Sequence, residues 1–157
     1  MNIFETTAVK MSGVTQDGEI GSAVATRANI IELTQAAEDA VLRPRDFGAF
    51  DHVLRAALAA RVALLAGDEA LESYYLTGAG DRAVLDQTGA DQWLEVILSF
   101  VDKVANETRD VAAEDILALQ GAGISDADIV RLCELVAFLA YQIRVIAGLR
   151  LMKGAAA

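Results

Sequence analysis

The chain has 157 residues, 54% of them hydrophobic, with one proline and one cysteine, which is enough for a single domain with a substantial core. Thirteen basic against 23 acidic residues leave a formal net charge of −10, and that charge opposes phosphate backbones and anionic lipid, so neither nucleic acid nor membrane is an expected partner. A lone thiol forms no intrachain disulfide and no dithiol couple, and a reducing, cytoplasmic location is the simplest expectation.

In chain order, the first ten residues lack a basic flank followed by an apolar stretch and do not resemble a secretory signal. The glycine-rich and polar stretch from Met11 to Gly21 reads as a loop, so residues 1–21 are expected to form a flexible lead-in. A first helix is predicted from about Ser22, as N-cap, to Leu42, where Arg43-Pro44 stops it. Phe50, Val53, Leu54, Ala57, Leu58, Arg61, Val62 and Leu65 recur at helical spacing in a second helix over about 47–66. Asp68 then opens a short helix to Leu76, with its charge suited to the helix dipole. One further turn is predicted over Arg82 to Gln87, and another helix over Asp91 to Ala105. Asp110 to Gln120 is helical up to Gly121-Ala122-Gly123. Ser125 caps a long last helix from Asp126 to about Leu151, with Ile124 packing back on Ile129. The apolar segments Leu54–Ala66 and Leu135–Leu151 are interrupted by Arg55 and Arg61, and by Gln142, Arg144 and Arg150, so they are expected in a soluble core rather than in a bilayer. The expectation is an all-α domain of six or seven helices over 22–153, with a disordered tail at 154–157.

Few residues carry obvious chemistry. Cys133, in an apolar helix, reads as a small core residue; a peroxide-sensing role would need exposure and a nearby cation, and Arg131 faces elsewhere. His52, beside Asp51, is either a general base or a capping or surface residue. Arg55, Arg61 and Arg144 lie in apolar helices and are expected to meet acids such as Glu95, Asp102 or Glu134, or else to grip a carboxylate. Trp93, Phe100, Phe138 and Tyr141 read as core or subunit contacts. No glycine-rich phosphate loop and no metal-ligand spacing occurs, so no cofactor and no metal is expected.

Two passages carry a resemblance. One is Arg55-Ala-Ala-Leu-Ala-Ala-Arg61-Val-Ala-Leu-Leu-Ala-Gly-Asp68. The other is Gly123-Ile-Ser-Asp126 opening a helix that continues through Tyr141, Arg144 and Gly148. Together they resemble the carboxymuconolactone decarboxylase superfamily, in its alkylhydroperoxidase D-like (AhpD-like) branch, over about 47–151. Redox members of that family carry a Cys-x-x-Cys, a histidine four residues beyond it and an upstream glutamate. The resemblance places these on Asp68 and Leu71, on Tyr75, and on about Ala56, so all four are replaced. Dithiol peroxidase chemistry is therefore not expected, since it needs a thiolate and a resolving thiol. The candidate pocket comprises Asp68, Leu71, Glu72 and Tyr75 with His52 and Arg144; Asp68 and Glu72, four residues apart, form either a carboxylate pair or a solvated face. The resemblance implies a homo-oligomeric, non-redox homologue, structural or ligand-binding. Two alternatives stand beside it: a cofactor-free enzyme acting on a small carboxylated compound, and a non-catalytic partner of a cysteine-bearing homologue in antioxidant defence.

Overall fold

A computed structural model describes residues 1–82 and 91–155 of the chain, which is all-helical over those residues. Eight α-helices are described: α1 (Thr7–Ser12), α2 (Gly18–Thr26), α3 (Ala28–Leu42), α4 (His52–Leu65), α5 (Glu69–Leu76), α6 (Gln92–Asn106), α7 (Ala113–Gly121) and α8 (Asp126–Ala155). Short 3-10 turns occupy Ile3–Glu5, Gly80–Arg82 and Thr108–Asp110. The expected helical turn beyond Arg82 and the end of the tail, Ala156-Ala157, lie outside the described residues.

Acidic and hydroxyl side chains start several helices; Asp68, Asp91 and Ser125 do so where the sequence places them, whereas the second predicted helix begins at His52, capped by Asp51, rather than near Phe47. Asp51, Asp68 and Asp91 accept from the backbone N–H groups of Leu54, Leu71 and Leu94 at 2.7, 3.1 and 2.8 Å. Ser125 Oγ accepts from Asp128 N–H at 3.2 Å, and Ile124 and Ile129 are both buried beside that cap. Caps of this kind are worth about 1 kcal/mol each. Arg43 ends α3 just before Pro44 as expected.

The N-terminal region departs from the expectation. Residues read as a lead-in are largely helical, and Thr6, Thr7, Ala8, Val9 and Ser12 are buried. Val9, Val14, Val24 and Ile31 form a small apolar cluster with Ile3, Phe4, Ile20 and Leu149 against it. Burial of these scattered apolar side chains outweighs the local glycine and polar content that suggested a loop. The predicted first helix is divided at Arg27, whose φ of −107° and ψ of 22° leave the helical region. Ser22 is accordingly no N-cap: it lies inside α2 and donates to Gly18 O, while Asp17 holds the cap position. At the other end, α8 continues through Gly154 to Ala155 rather than stopping near Leu151.

The spine of the bundle is α8, which packs on α1, α3, α4, α6 and α7. Its buried positions Leu135, Leu139, Gln142 and Ile146 follow the helical period. By length and composition alone α8 is long and apolar enough to cross a membrane, despite Gln142, Arg144 and Arg150; here that length spans the bundle, with its inward face in the main core. Beside it, α4 buries Leu54, Ala57, Leu58, Ala59, Ala60, Val62 and Ala63 around most of its circumference, the small alanines allowing α5, α6 and α8 to approach it closely.

Candidate functional site

A cleft of about 220 Å³ opens where the end of α3, the first turns of α4 and the end of α5 meet; it is lined by Leu42, Arg43, His52, Ala56, Tyr74, Tyr75, Thr77 and Gly78. Gly78 forms part of its rim, and a Cβ there would stand 3.2 Å from Ala56 Cβ, so glycine lets the turn after α5 close against α4. One wall is held by Arg55, which is 2% exposed. Its guanidinium donates to three backbone carbonyls, Phe50 O at 2.8 Å, Val41 O at 2.8 Å and Phe47 O at 3.0 Å. These bonds tie the end of α3 and the connection from Phe47 to Phe50 onto α4. No carboxylate among the described residues pairs directly with Arg55, contrary to expectation; backbone carbonyls satisfy it instead. Burial, followed by the neighbouring Arg131, lowers its pKa.

Behind the cleft lies a buried polar network. Glu38, fully buried on α3, is held by Gln142 Nε2, which donates to Oε2 at 2.6 Å, and by the Thr7 hydroxyl 2.9 Å from Oε1. The Tyr75 hydroxyl donates to Gln142 Oε1, and the Tyr74 hydroxyl stands 3.0 Å from Thr7 Oγ1. Two tyrosines on the cleft wall are thus linked, each through one intermediate side chain, to the two oxygens of a single buried carboxylate. Burial pushes the Glu38 pKa up from the ordinary value of 4.5, and the hydrogen bonds from Thr7 and Gln142, with the charge of Arg43, only partly offset it. The Tyr75 phenol is raised strongly, by burial first and by Glu38 and Tyr74 after it. At the cleft mouth Arg43 pairs with Asp39 and lies in the field of Glu38 and Tyr74.

The residues singled out from the sequence are distributed unevenly. Tyr75 and His52 line the cleft. His52 is exposed, and its Nε2 lies 2.9 Å from Pro44 O; a carbonyl only accepts, so Nε2 carries a proton. Asp68 lies outside the cleft: it caps α5 and receives Arg150 Nη1 at 2.8 Å on Oδ2, while Arg150 also donates to Met11 O. Leu71 is fully buried in the main core. Glu72 is half-buried on α5 and does not line the cleft. With Asp68 engaged by Arg150, Asp68 and Glu72 do not form a paired carboxylate centre. Arg144 is exposed on another face of the bundle and donates to Ala140 O, whereas Arg61 meets Asp102 through two 2.6 Å bonds as anticipated. Cys133 is half-buried, and burial followed by Glu134 raises its pKa. Among the described residues no three His, Cys, Asp or Glu side chains cluster in a way that would hold a metal ion.

The sequence reading missed Glu38 and Thr7 as members of the site and noted Gln142 only as an interruption of an apolar run. A usable signal existed. Ile31, Thr34, Glu38 and Leu42 share the inward stripe of α3, and Gln142 shares that of α8 with Leu135, Leu139 and Ile146. Polar side chains at core-facing positions mark buried networks, because each needs a partner there.

No family model and no curated protein matches the chain. Its fold is shared with the crystal structure of an uncharacterized peroxidase-related protein from Silicibacter sp. TM1040, with a TM-score of 0.55 and 17% sequence identity over 75% of this chain and 66% of that one. The match thus spans just under two-thirds of that protein's length, and at this identity the likeness is one of all-helical fold.

Proposed function

We propose that this chain is an AhpD-like homologue that binds a small ligand in the cleft between α3, α4 and α5 and performs no dithiol redox chemistry. The observation that carries the reading is how the four replaced positions divide. Leu71 and Asp68, which the resemblance equates with the cysteines, are a core side chain and an ion-paired helix cap. Ala56 and Tyr75, which it equates with the glutamate and the histidine, line the cleft. Two of the four positions thus border a cavity, while the two nucleophile positions lie outside it. Cys133 offers no substitute: it is half-buried, burial raises its pKa, and there is no second cysteine in the sequence to close a disulfide with it. The peroxidase-related fold neighbour is compatible with this ancestry.

The test is ligand-observed NMR with single-ring probes, benzoate and benzyl alcohol, on the wild type and on Ala56→Leu, which fills the cleft. Binding to the wild type that is lost in Ala56→Leu supports the reading. Peroxide turnover driven by a dithiol reductant and abolished by Cys133→Ser would overturn it. A homo-oligomer belongs to the same proposal: Leu33, Leu117, Val130 and Leu151 are each more than half exposed, and covering such side chains favours association. Light scattering that gives the mass of one chain at all salt concentrations would remove that part.

A further inference from the structure

The line from Glu38 through Thr7 to Tyr74 has two hydrogen-bonding states. Thr7 Oγ1 stands 2.9 Å from Glu38 Oε1 and 3.0 Å from the Tyr74 hydroxyl, yet a hydroxyl carries one proton and can donate to only one of them. When Glu38 is ionised it can only accept, so Thr7 donates to the carboxylate and Tyr74 donates to Thr7. The Tyr74 proton is then turned inward, away from any ligand. When Oε1 is protonated the line reverses: Glu38 donates to Thr7, Thr7 donates to Tyr74, and the Tyr74 proton is released. The other arm is the same in both states, because Gln142 Nε2 donates to Oε2 whichever state holds and Gln142 Oε1 already accepts from Tyr75. The charge state of a buried carboxylate therefore sets whether a tyrosine on the cleft wall is a hydrogen-bond donor or an acceptor.

We propose that the cleft takes a small molecule with a carboxylate-type anionic head group, and that binding it takes up one proton from solvent, which Glu38 holds and the Thr7 relay reports to the Tyr74 hydroxyl. This rests on the ligand-binding reading above and adds to it the ligand class and its regulation by pH. Arg43 on the wall supplies a positive group, Leu42 and Ala56 an apolar surface, and the volume suits a single-ring molecule. An anion needs a donor at Tyr74, and it also repels an ionised Glu38, so both effects favour the protonated state. The groups facing Glu38 are Arg43 and Asp39 from its own helix, Thr7 from α1, Tyr75 from α5 and Gln142 from α8. None of them is a second cation that would keep Glu38 ionised beside a bound anion. Burial has already raised the Glu38 pKa above the ordinary carboxylate value, the direction that favours the protonated state. By linkage, anion affinity is greatest when Glu38 is protonated and falls as pH rises through its pKa, and anion binding raises that pKa in turn.

The experiment is calorimetric titration of the full chain with benzoate in buffers of different ionisation enthalpy. The expected result is uptake of one proton per benzoate and an affinity that falls about tenfold per pH unit above the Glu38 pKa. Glu38→Gln should bind benzoate with no uptake and a flat pH profile. Thr7→Val, which cuts the relay and leaves the carboxylate in place, should bind with reduced uptake, and it decides the matter if Glu38→Gln does not fold. His52→Gln should leave the uptake unchanged. Wild-type pH dependence in Glu38→Gln, or uptake that disappears in His52→Gln, overturns the assignment to Glu38 with the ligand site intact. Benzyl alcohol binding as tightly as benzoate overturns the anionic class. If neither probe binds, the underlying ligand-binding reading fails and this inference fails with it.

Discussion

Replacing Gln142 with leucine strips partners from two buried groups at once while keeping the side chain's volume. Tyr75, 3% exposed, loses the acceptor of its hydroxyl, and Glu38 loses the 2.6 Å bond to Oε2. A buried hydroxyl left without a partner costs about 1–3 kcal/mol, and a hydrogen bond to a charged group is worth about 1.5–3, so the expected loss is roughly 3–5 kcal/mol. At about 2–4 °C per kcal/mol for a chain of this size, Tm should fall by roughly 6–20 °C. The sign of the pH dependence also follows. The folded pKa of Glu38 already lies above the ordinary 4.5, and the Gln142 bond holds it down; in the variant it rises further. A carboxyl whose folded pKa is raised binds more protons folded than unfolded, so its favourable contribution is present below the unfolded pKa and is lost as pH rises through the folded one. The penalty of Gln142→Leu should therefore be larger at about pH 8 than at about pH 5. Urea unfolding followed by circular dichroism at both pH values measures it, and adding Tyr75→Phe should recover about 1–2 kcal/mol by removing the stranded hydroxyl. A penalty below about 1 kcal/mol, or one equal at both pH values, would refute the network as the source of stability.

Gly48→Ala should destabilise the fold by about 2–3 kcal/mol in the same unfolding assay, because φ is +57° and an added Cβ would stand 2.1 Å from Asp128 Oδ1. Phe138→Ala should cost about 2–3 kcal/mol, below the range for a central aromatic, since Phe138 sits at the edge of the α3–α8 contact beside Tyr141; an unchanged midpoint would place it on the surface. Asp102→Asn should cost about 1–2 kcal/mol through the loss of its two-bond pairing with Arg61, and salt should shrink the difference between variant and wild type.

The helical periods, the stop at Arg43-Pro44, the acidic starts at Asp68 and Asp91 and the Ser125 start of the last helix are legible along the chain, because helix propensity, capping and amphipathic spacing act within a few residues; the Asp51 cap is not, and α4 starts later than its apolar period suggests. The same local signals misread residues 1–21: Val9, Val14 and Ile20 have no periodic neighbours to announce them, and what orders them is burial against Ile31 and Leu149 far along the chain. The absence of a dithiol was also settled by sequence, since one cysteine cannot make a pair wherever it folds. The site itself was not. His52 and Tyr75 line the cleft, but Asp68, Leu71 and Glu72 do not, because neighbours on one short helix point in different directions, and Arg144 lies on another face of the bundle. The residues that join the cleft walls to a buried charge, Thr7, Glu38, Tyr74 and Gln142, are spread over four helices and bridge separations of 31, 67 and 104 positions. Pattern and composition show that Glu38 and Gln142 occupy inward stripes of their own helices; only the packing of α1, α3, α5 and α8 brings those stripes together and lets each buried polar group satisfy the other.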